Sequence, residues 1–170
     1  MRRGYKVIGI ALLGGAALVA GGLLALTRGP SGPPAQPIAF NHRTHVEERA
    51  RLDCLFCHTT ANRSTRAGIP SAQGCLLCHM GILPDHPEIR KLRSYREQGR
   101  PVPWQQVYRL PAFVYFSHKR HVRAGIECQE CHGDLTRMAA ARLEVNHTMG
   151  SCLACHQQRG APTDCLTCHK

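Results

Sequence analysis

The sequence predicts a fold of few short α-helices with little other regular structure, following one N-terminal transmembrane helix. Three observations carry that prediction. A five-residue frame returns five times, as "CLFCH" at 54–58, "CLLCH" at 75–79, "CQECH" at 128–132, "CLACH" at 152–156 and "CLTCH" at 165–169, and it uses all 10 cysteines. Phe, Trp and Tyr make only 5% of the 170 residues, too little aromatic mass for a conventional core of this length. Residues 7–26, "VIGIALLGGAALVAGGLLAL", are an uncharged, largely apolar run of bilayer length.

The frame comes first, because it sets the chemistry. Cys-x-x-Cys-His is the attachment frame of a c-type haem. Two thiols add across the two vinyl groups of one porphyrin edge, and the next histidine lies under the ring and ligates the iron. Cys54, Cys57, Cys75, Cys78, Cys128, Cys131, Cys152, Cys155, Cys165 and Cys168 are therefore read as thioether positions for five covalent haems. His58, His79, His132, His156 and His169 are read as proximal iron ligands. Zinc would need cysteine pairs in even number and gives no reason for the histidine. A disulfide framework leaves the histidines equally unexplained. A thioredoxin-like redox pair occurs once per domain on a βαβ pattern that this sequence lacks. The fold class is thus a multihaem cytochrome c, with porphyrin as the interior and folding coupled to cofactor attachment.

Charge fits this reading. The formal net charge is +11, and Arg2, Arg3, Lys6 and Arg28 place part of it in the N-terminal segment. Beyond residue 37 stand 18 basic and 11 acidic residues. Each oxidised haem with two histidine ligands adds one net negative charge, so five haems largely offset the excess. Surplus arginine suits carboxylate pairing with propionates. No interleaving of aromatic and basic residues points to nucleic acid.

At the N-terminus, residues 1–28 are read as an uncleaved transmembrane anchor. The apolar run is longer than the usual signal-peptide core, and "LALTRG" is a poor cleavage site. Basic residues before the run place the N-terminus in the cytoplasm, and the rest on the periplasmic side of the cytoplasmic membrane. Gly14, Gly15, Gly21 and Gly22 fit either close helix approach or the ordinary glycine content of membrane spans. "GPSGPPAQP", 29–37, reads as a Pro/Gly linker, and 38–170 as the haem domain.

That domain repeats internally, in halves of about 38–98 and 112–170. "AFNHRTHV" at 39–46 matches "YFSHKRHV" at 115–122, and each precedes a frame. Histidines three apart on a helical turn share a face yet fan outward, so they can serve two irons. His42, His45, His118 and His121 are the expected distal ligands. For the fifth iron Met149 is preferred, with His147 and Met138 as alternatives; methionine ligation would raise that haem's potential. His86, before Pro87, reads as a helix-start residue. Residues 85–98 are the clearest helix, stopped by Gly99 and Pro101. Residues 99–116 hold three prolines and several aromatics, and read as a connector or as a docking surface anchored by Trp104.

These motifs carry a resemblance. The His-x-x-His plus frame arrangement resembles the small class III multihaem cytochromes. "AGIPSAQGCLLCH", "PVPWQQVYRLPAFVYFSHKRHV", "GIECQECHG" and "TMGSCLACH" are similar to the pentahaem subunit of alternative complex III, over about 38–169. That family usually has an aromatic where this chain has Ser151. Related cytochromes pair with molybdopterin-type oxidoreductases. The resemblance implies a non-enzymatic electron-transfer subunit within a quinol-oxidising complex. Its implied partners are integral-membrane quinol-binding subunits and an iron–sulfur subunit, with a monohaem cytochrome c or an oxidase as acceptor. A stand-alone membrane-tethered quinol dehydrogenase or a periplasmic electron shuttle is the alternative. An enzyme of the multihaem nitrite-reductase sort would need a five-coordinate haem, which the supply of spare histidines and methionines does not require.

Overall fold

The computed structural model describes residues 32–170. The apolar run at 7–26 and most of the segment before Pro33 lie outside the described residues. Residues Pro33–Lys170 form one compact unit. Among the described residues no helix is long and apolar enough to cross a membrane.

Seven short α-helices carry the unit, and five of them hold the frames. These are α1 (Cys54–Cys57), α2 (Ala72–His79), α5 (Cys128–His132), α6 (Met149–Gln158) and α7 (Cys165–Cys168). The other two are α3 (Pro87–Glu97) and α4 (His118–Arg123). A π-helical turn, Thr44–Glu48, precedes α1, and a 3₁₀ turn, Leu135–Arg137, follows α5. Among the described residues the only β pairing is an isolated antiparallel bridge between Val114 and His169.

The frame helices start where local chemistry starts them. Asp53 accepts from the Leu55 amide at 2.7 Å, and Asp164 from the Thr167 amide at 3.0 Å. Glu127 opens α5, and Glu130 accepts back from its amide at 3.2 Å. In these three helices the cap directly precedes the first cysteine. In α2 and α6 it stands four residues earlier. Ser71 accepts from the Gly74 amide, and Thr148 and Ser151 exchange hydrogen bonds as a capping box. The chain thus alternates a bare frame with a frame preceded by an extra helical turn.

The side-chain core is small. Ile38, Ala72, Leu76, Ile89 and Leu92 bury one another where α2 meets α3, with Cys75, Tyr95, Val102 and Trp104 against them. Ala61 and Met138 are buried elsewhere, and among the described residues no large side chain is fully enclosed. The helix expected over 85–98 runs Pro87–Glu97, with His86 as its N-cap and Gly99 at φ +63° after its end. Trp104 is turned inward onto the Ile38 cluster, so its indole serves the unit's own core.

Candidate functional site

A helical turn puts both cysteines and the histidine of a frame on one face, because positions i, i+3 and i+4 are neighbours there. The His58 amide donates to the Cys54 carbonyl and the His169 amide to that of Cys165, each at 2.9 Å. No two of the ten cysteines are joined as a disulfide. Burial, with neighbouring thiols adding to it, pushes those of Cys54, Cys57, Cys75 and Cys131 up. Those neighbours also order the frames in space. Cys54 lies beside Cys128, and Cys57 is near enough to Cys75 and Cys78, and Cys131 to Cys152 and Cys155, for a charge on one to oppose a charge on the other. The second frame therefore adjoins the first, the first adjoins the third, and the third adjoins the fourth.

The histidines come together across frames. An iron between two imidazole nitrogens, each about 2.0–2.1 Å away, sets the ring centroids about 6.3 Å apart. His45 and His79 stand at 5.9 Å, His118 and His132 at 6.2 Å with ring planes 3° apart, and His121 and His156 at 6.0 Å. His42 faces His58 closely enough for a charge on one to oppose a charge on the other. Both members of the first His-x-x-His and both of the second thus meet a frame histidine. His132 has a second neighbour, His147, at 6.3 Å with planes at 86°. Among the described residues no histidine ring stands at such a distance from His169, whose neighbour is Phe113 at 5.7 Å. Met149 is the first residue of α6 and is 64% exposed, while Met138 is buried.

The other ring nitrogen decides the tautomer. Nδ1 of His58 donates to the Gly68 carbonyl at 2.6 Å, that of His79 to Ile82 at 3.0 Å and that of His156 to Pro162 at 2.6 Å. His169 donates to the Phe113 carbonyl at 3.3 Å. On the distal side His45 donates to Asn41 at 2.8 Å, His118 to Thr65 at 2.9 Å and His121 to Ser117 at 2.9 Å. A carbonyl only accepts, so each Nδ1 carries the proton and each Nε2 presents its lone pair. Metal-binding histidines are held in this way. His86 is the contrast: its Nδ1 accepts from the Glu88 amide and caps α3. Burial lowers His42 and His132 to about 4, which keeps both neutral and able to ligate. The buried Nδ1 of His42 has no hydrogen-bond partner.

Phenylalanine repeats with the histidines. Phe40 meets His42 edge-on at 4.8 Å and 88°, and stacks on His45 at 4.4 Å and 27°. Phe116 meets His118 at 4.9 Å and 87°, and stacks on His121 at 4.5 Å and 29°. Two supporting residues escape a ligand search. The Tyr108 hydroxyl donates to the His132 carbonyl and accepts from the Glu144 amide, and Phe113 supplies the carbonyl for His169. Both come from the 99–116 connector. Only the aromatic character of Tyr108 hinted at a role, and a backbone carbonyl leaves no trace in sequence.

The donor set fits c-type haem. Thiol pairs lie beside a histidine with a free Nε2, and a second histidine stands at iron-spanning distance in the three measured pairs. Among the described residues, no three or more His, Cys, Asp or Glu side chains converge as a compact metal cage would require. Large apolar side chains at frame positions, Phe56, Leu77 and Leu166, are exposed.

Comparison with known proteins agrees. Residues 114–170 match the family described as cytochrome c7 and related cytochrome c. The multihaem cytochrome c subunit of the menaquinone reductase of Nitratidesulfovibrio vulgaris is 37% identical over 98 residues, 57% of this chain. The chain spans 45% of that relative's length. Residues 114–170 are thus a cytochrome c7-like multihaem segment, and the ten cysteines support c-type haem binding.

Proposed function

We propose that the chain is a membrane-anchored pentahaem electron-transfer subunit, relaying electrons from quinol oxidation to a periplasmic acceptor as in alternative complex III. The observation that carries the electron-transfer reading is the set of pairs His45–His79, His118–His132 and His121–His156, in which every ring but that of His132 binds a carbonyl through Nδ1. A c-type haem supplies a reversible one-electron iron couple. The chain's residues do the rest. The ten frame cysteines would fix porphyrin edges. His58, His79, His132, His156 and His169 would take one axial side. His42, His45, His118 and His121 would close the other, and a fifth distal ligand comes from Met149, His147 or Met138. With both sides closed there is no substrate position, so the chain conducts electrons and does not remake bonds. The quinol-binding and iron–sulfur subunits, the inner-membrane anchor at 7–26 and the periplasmic placement belong to this proposal.

The relative's name favours a second reading, in which electrons run the other way, into a menaquinone pool. Purification of the full chain from membranes tests the first. Mass should show five added haems, and a quinol should reduce the complex faster than a quinone reoxidises it. A mass without five haems ends the pentahaem reading. Net quinone reduction under a physiological donor would move the chain to the second.

A further inference from the structure

The loop after the first frame and the second His-x-x-His helix are joined. The Lys119 amide donates to the Ser64 carbonyl at 2.9 Å, and the His118 amide to the Thr65 carbonyl at 3.2 Å. Residues 54–68 and 115–126 contain no Asp or Glu, yet supply Arg63, Arg66, Lys119, Arg120 and Arg123. None of these five takes part in an ion pair among the described residues. Between the two segments lies an open cavity of about 500 Å³, lined by Leu55, Thr59, Asn62, Arg63 and Arg123. Nε of Arg63 donates to the Thr59 carbonyl at 2.9 Å, and Nε of Arg123 to that of Asn62 at 3.0 Å. Both guanidinium planes are thereby fixed, and each keeps its terminal nitrogens for a carboxylate.

The position of the cavity says which carboxylate. Leu55 sits between the two thiols of the first frame, at the edge where a haem would be bonded. Cys54 also meets Cys128 of the third frame, so two thioether edges would adjoin here. A c-type haem carries its propionates on the edge opposite its thioethers, so a haem bonded at Cys54 and Cys57 would turn its thioether edge towards Leu55 and this cavity.

We propose that this cleft is a docking site for the acidic face of a one-electron redox protein. Carboxylates of the partner take Arg63 and Arg123. The haem that Cys54, Cys57 and His58 would hold would supply a one-electron couple to exchange with the partner's own one-electron centre, one side oxidised as the other is reduced, with no proton transferred. The proposal rests on the electron-transfer reading above. Charge complementarity of this kind acts on the encounter rate and weakens with salt.

The test uses pre-reduced holoprotein in stopped flow with two small oxidants of opposite charge, hexacyanoferrate(III) and tris(phenanthroline)cobalt(III). Arg63→Gln/Arg123→Gln should slow the anionic oxidant about three- to ten-fold at low ionic strength, and leave the cationic one unchanged or faster. Poly-L-glutamate should slow hexacyanoferrate with the parent protein and not with the variant. Arg90→Gln/Arg100→Gln removes the same charge from α3 and the residues after it. An equal loss there would show net charge alone at work and overturn the site. So would a loss shared by both oxidants, or no loss at all. Covalent haem in the parent, counted by mass, is measured first; its absence would defeat the electron-carrier reading itself.

Discussion

The two His-x-x-His pieces solve one problem with different backbones. In the second, His118–Arg123 is an ordinary α-helix, and Cys128 follows His121 by seven positions. In the first, Cys54 follows His45 by nine. The extra length is taken up by the π-helical turn at Thr44–Glu48 and by Arg51 in the left-handed region at φ 49°. Despite this, the phenylalanine–histidine geometry of the two copies agrees to 0.1 Å and 2°. The second histidine of each copy donates back four residues, to Asn41 or to Ser117. The copies part at the first histidine. His118 is tied to Thr65, a residue of the other half, whereas Nδ1 of His42 is buried without a partner. The duplication therefore preserves ring placement, and the second copy gained a tether by docking on the loop of the first.

The largest effects should come from breaking the pairs themselves. His45→Ala removes one proposed distal ligand and should give one high-spin ferric signal by electron paramagnetic resonance. Adding His79→Ala should perturb the same haem, so the double variant still shows one altered site. His45→Ala with His156→Ala should alter two. Two altered sites in the first double variant would dissolve the 45–79 pair. The rival partners of His132 are separated in the same way. A high-spin signal from His118→Ala, with a fully low-spin third haem in His147→Ala, selects the near-coplanar pair. Where both variants are silent, neither histidine is a ligand to that iron.

Next is the loop on which both halves lean. Gly68 sits at φ +70°, and a Cβ there would stand 2.7 Å from Oγ1 of Thr60, which itself donates to the Arg66 and Ala67 carbonyls. Gly68→Ala should cost about 1–3 kcal/mol in denaturant unfolding of the holoprotein. It should disturb His58, which donates to the Gly68 carbonyl. Gly133, at φ +69° with Glu144 Cβ at 2.7 Å, directly follows the third frame and is equally crowded. Gly133→Ala should destabilise similarly and leave the first haem's spectrum alone. Gly99→Ala meets no neighbour within 4 Å and should show the backbone strain by itself.

What the sequence could announce, and what it could not, follows from which atoms act. The frames, the Phe-x-His-x-x-His pieces and the caps Asp53, Ser71, Thr148 and Asp164 act through side chains in fixed local order, so they are readable before any fold is known. Pro87 and Gly99 marked the α3 ends to within a few residues for the same reason. The π turn was not legible, because a spacing of nine positions instead of seven states a length and not a backbone path. The carbonyls of Gly68, Thr65, Ile82, Pro162 and Phe113 hold histidine rings through atoms every residue has. The segment of Trp104 fitted a connector or a docking surface equally, because the partners of its indole, Ile38 and the α2–α3 face, come from distant parts of the chain. Ser151, standing where an aromatic was anticipated, completes the cap of α6, a role that needs only its hydroxyl.

The difference at the first histidine makes the phenylalanines unequal. Among the described residues, the Phe40 edge is the one aromatic contact of His42, with no Nδ1 hydrogen bond beside it. His118 has both the Phe116 edge and the Thr65 carbonyl. Phe40→Leu and Phe116→Leu each lose an aromatic pairing worth about 0.5–1.5 kcal/mol. Phe40→Leu should broaden or shift the low-spin resonance of the His42 haem more than Phe116→Leu does for the His118 haem. Equal shifts would mean that the Thr65 hydrogen bond does not orient its ring.

The smallest expected effect belongs to the first half alone. There the chain before the π turn is held on α3 by Glu88, which accepts from the Ala39 amide at 2.7 Å and pairs with Lys91 at 2.6 Å. The second half has no counterpart to this clasp among its ion pairs in the described residues. The Lys91 hydrogen bond, then the Ala39 amide, hold the Glu88 carboxyl below its ordinary range. A depressed carboxylate adds stability above its unfolded pKa and loses it as pH falls through the folded value. Glu88→Gln should therefore cost less than about 1 kcal/mol at pH 7, because Lys91 is exposed and the pair is screened. The deficit should close on acidification below the carboxylate range, and amide exchange at Ala39 should speed up at neutral pH. A deficit that persists unchanged in acid would assign the effect to the shape of the side chain and not to its charge.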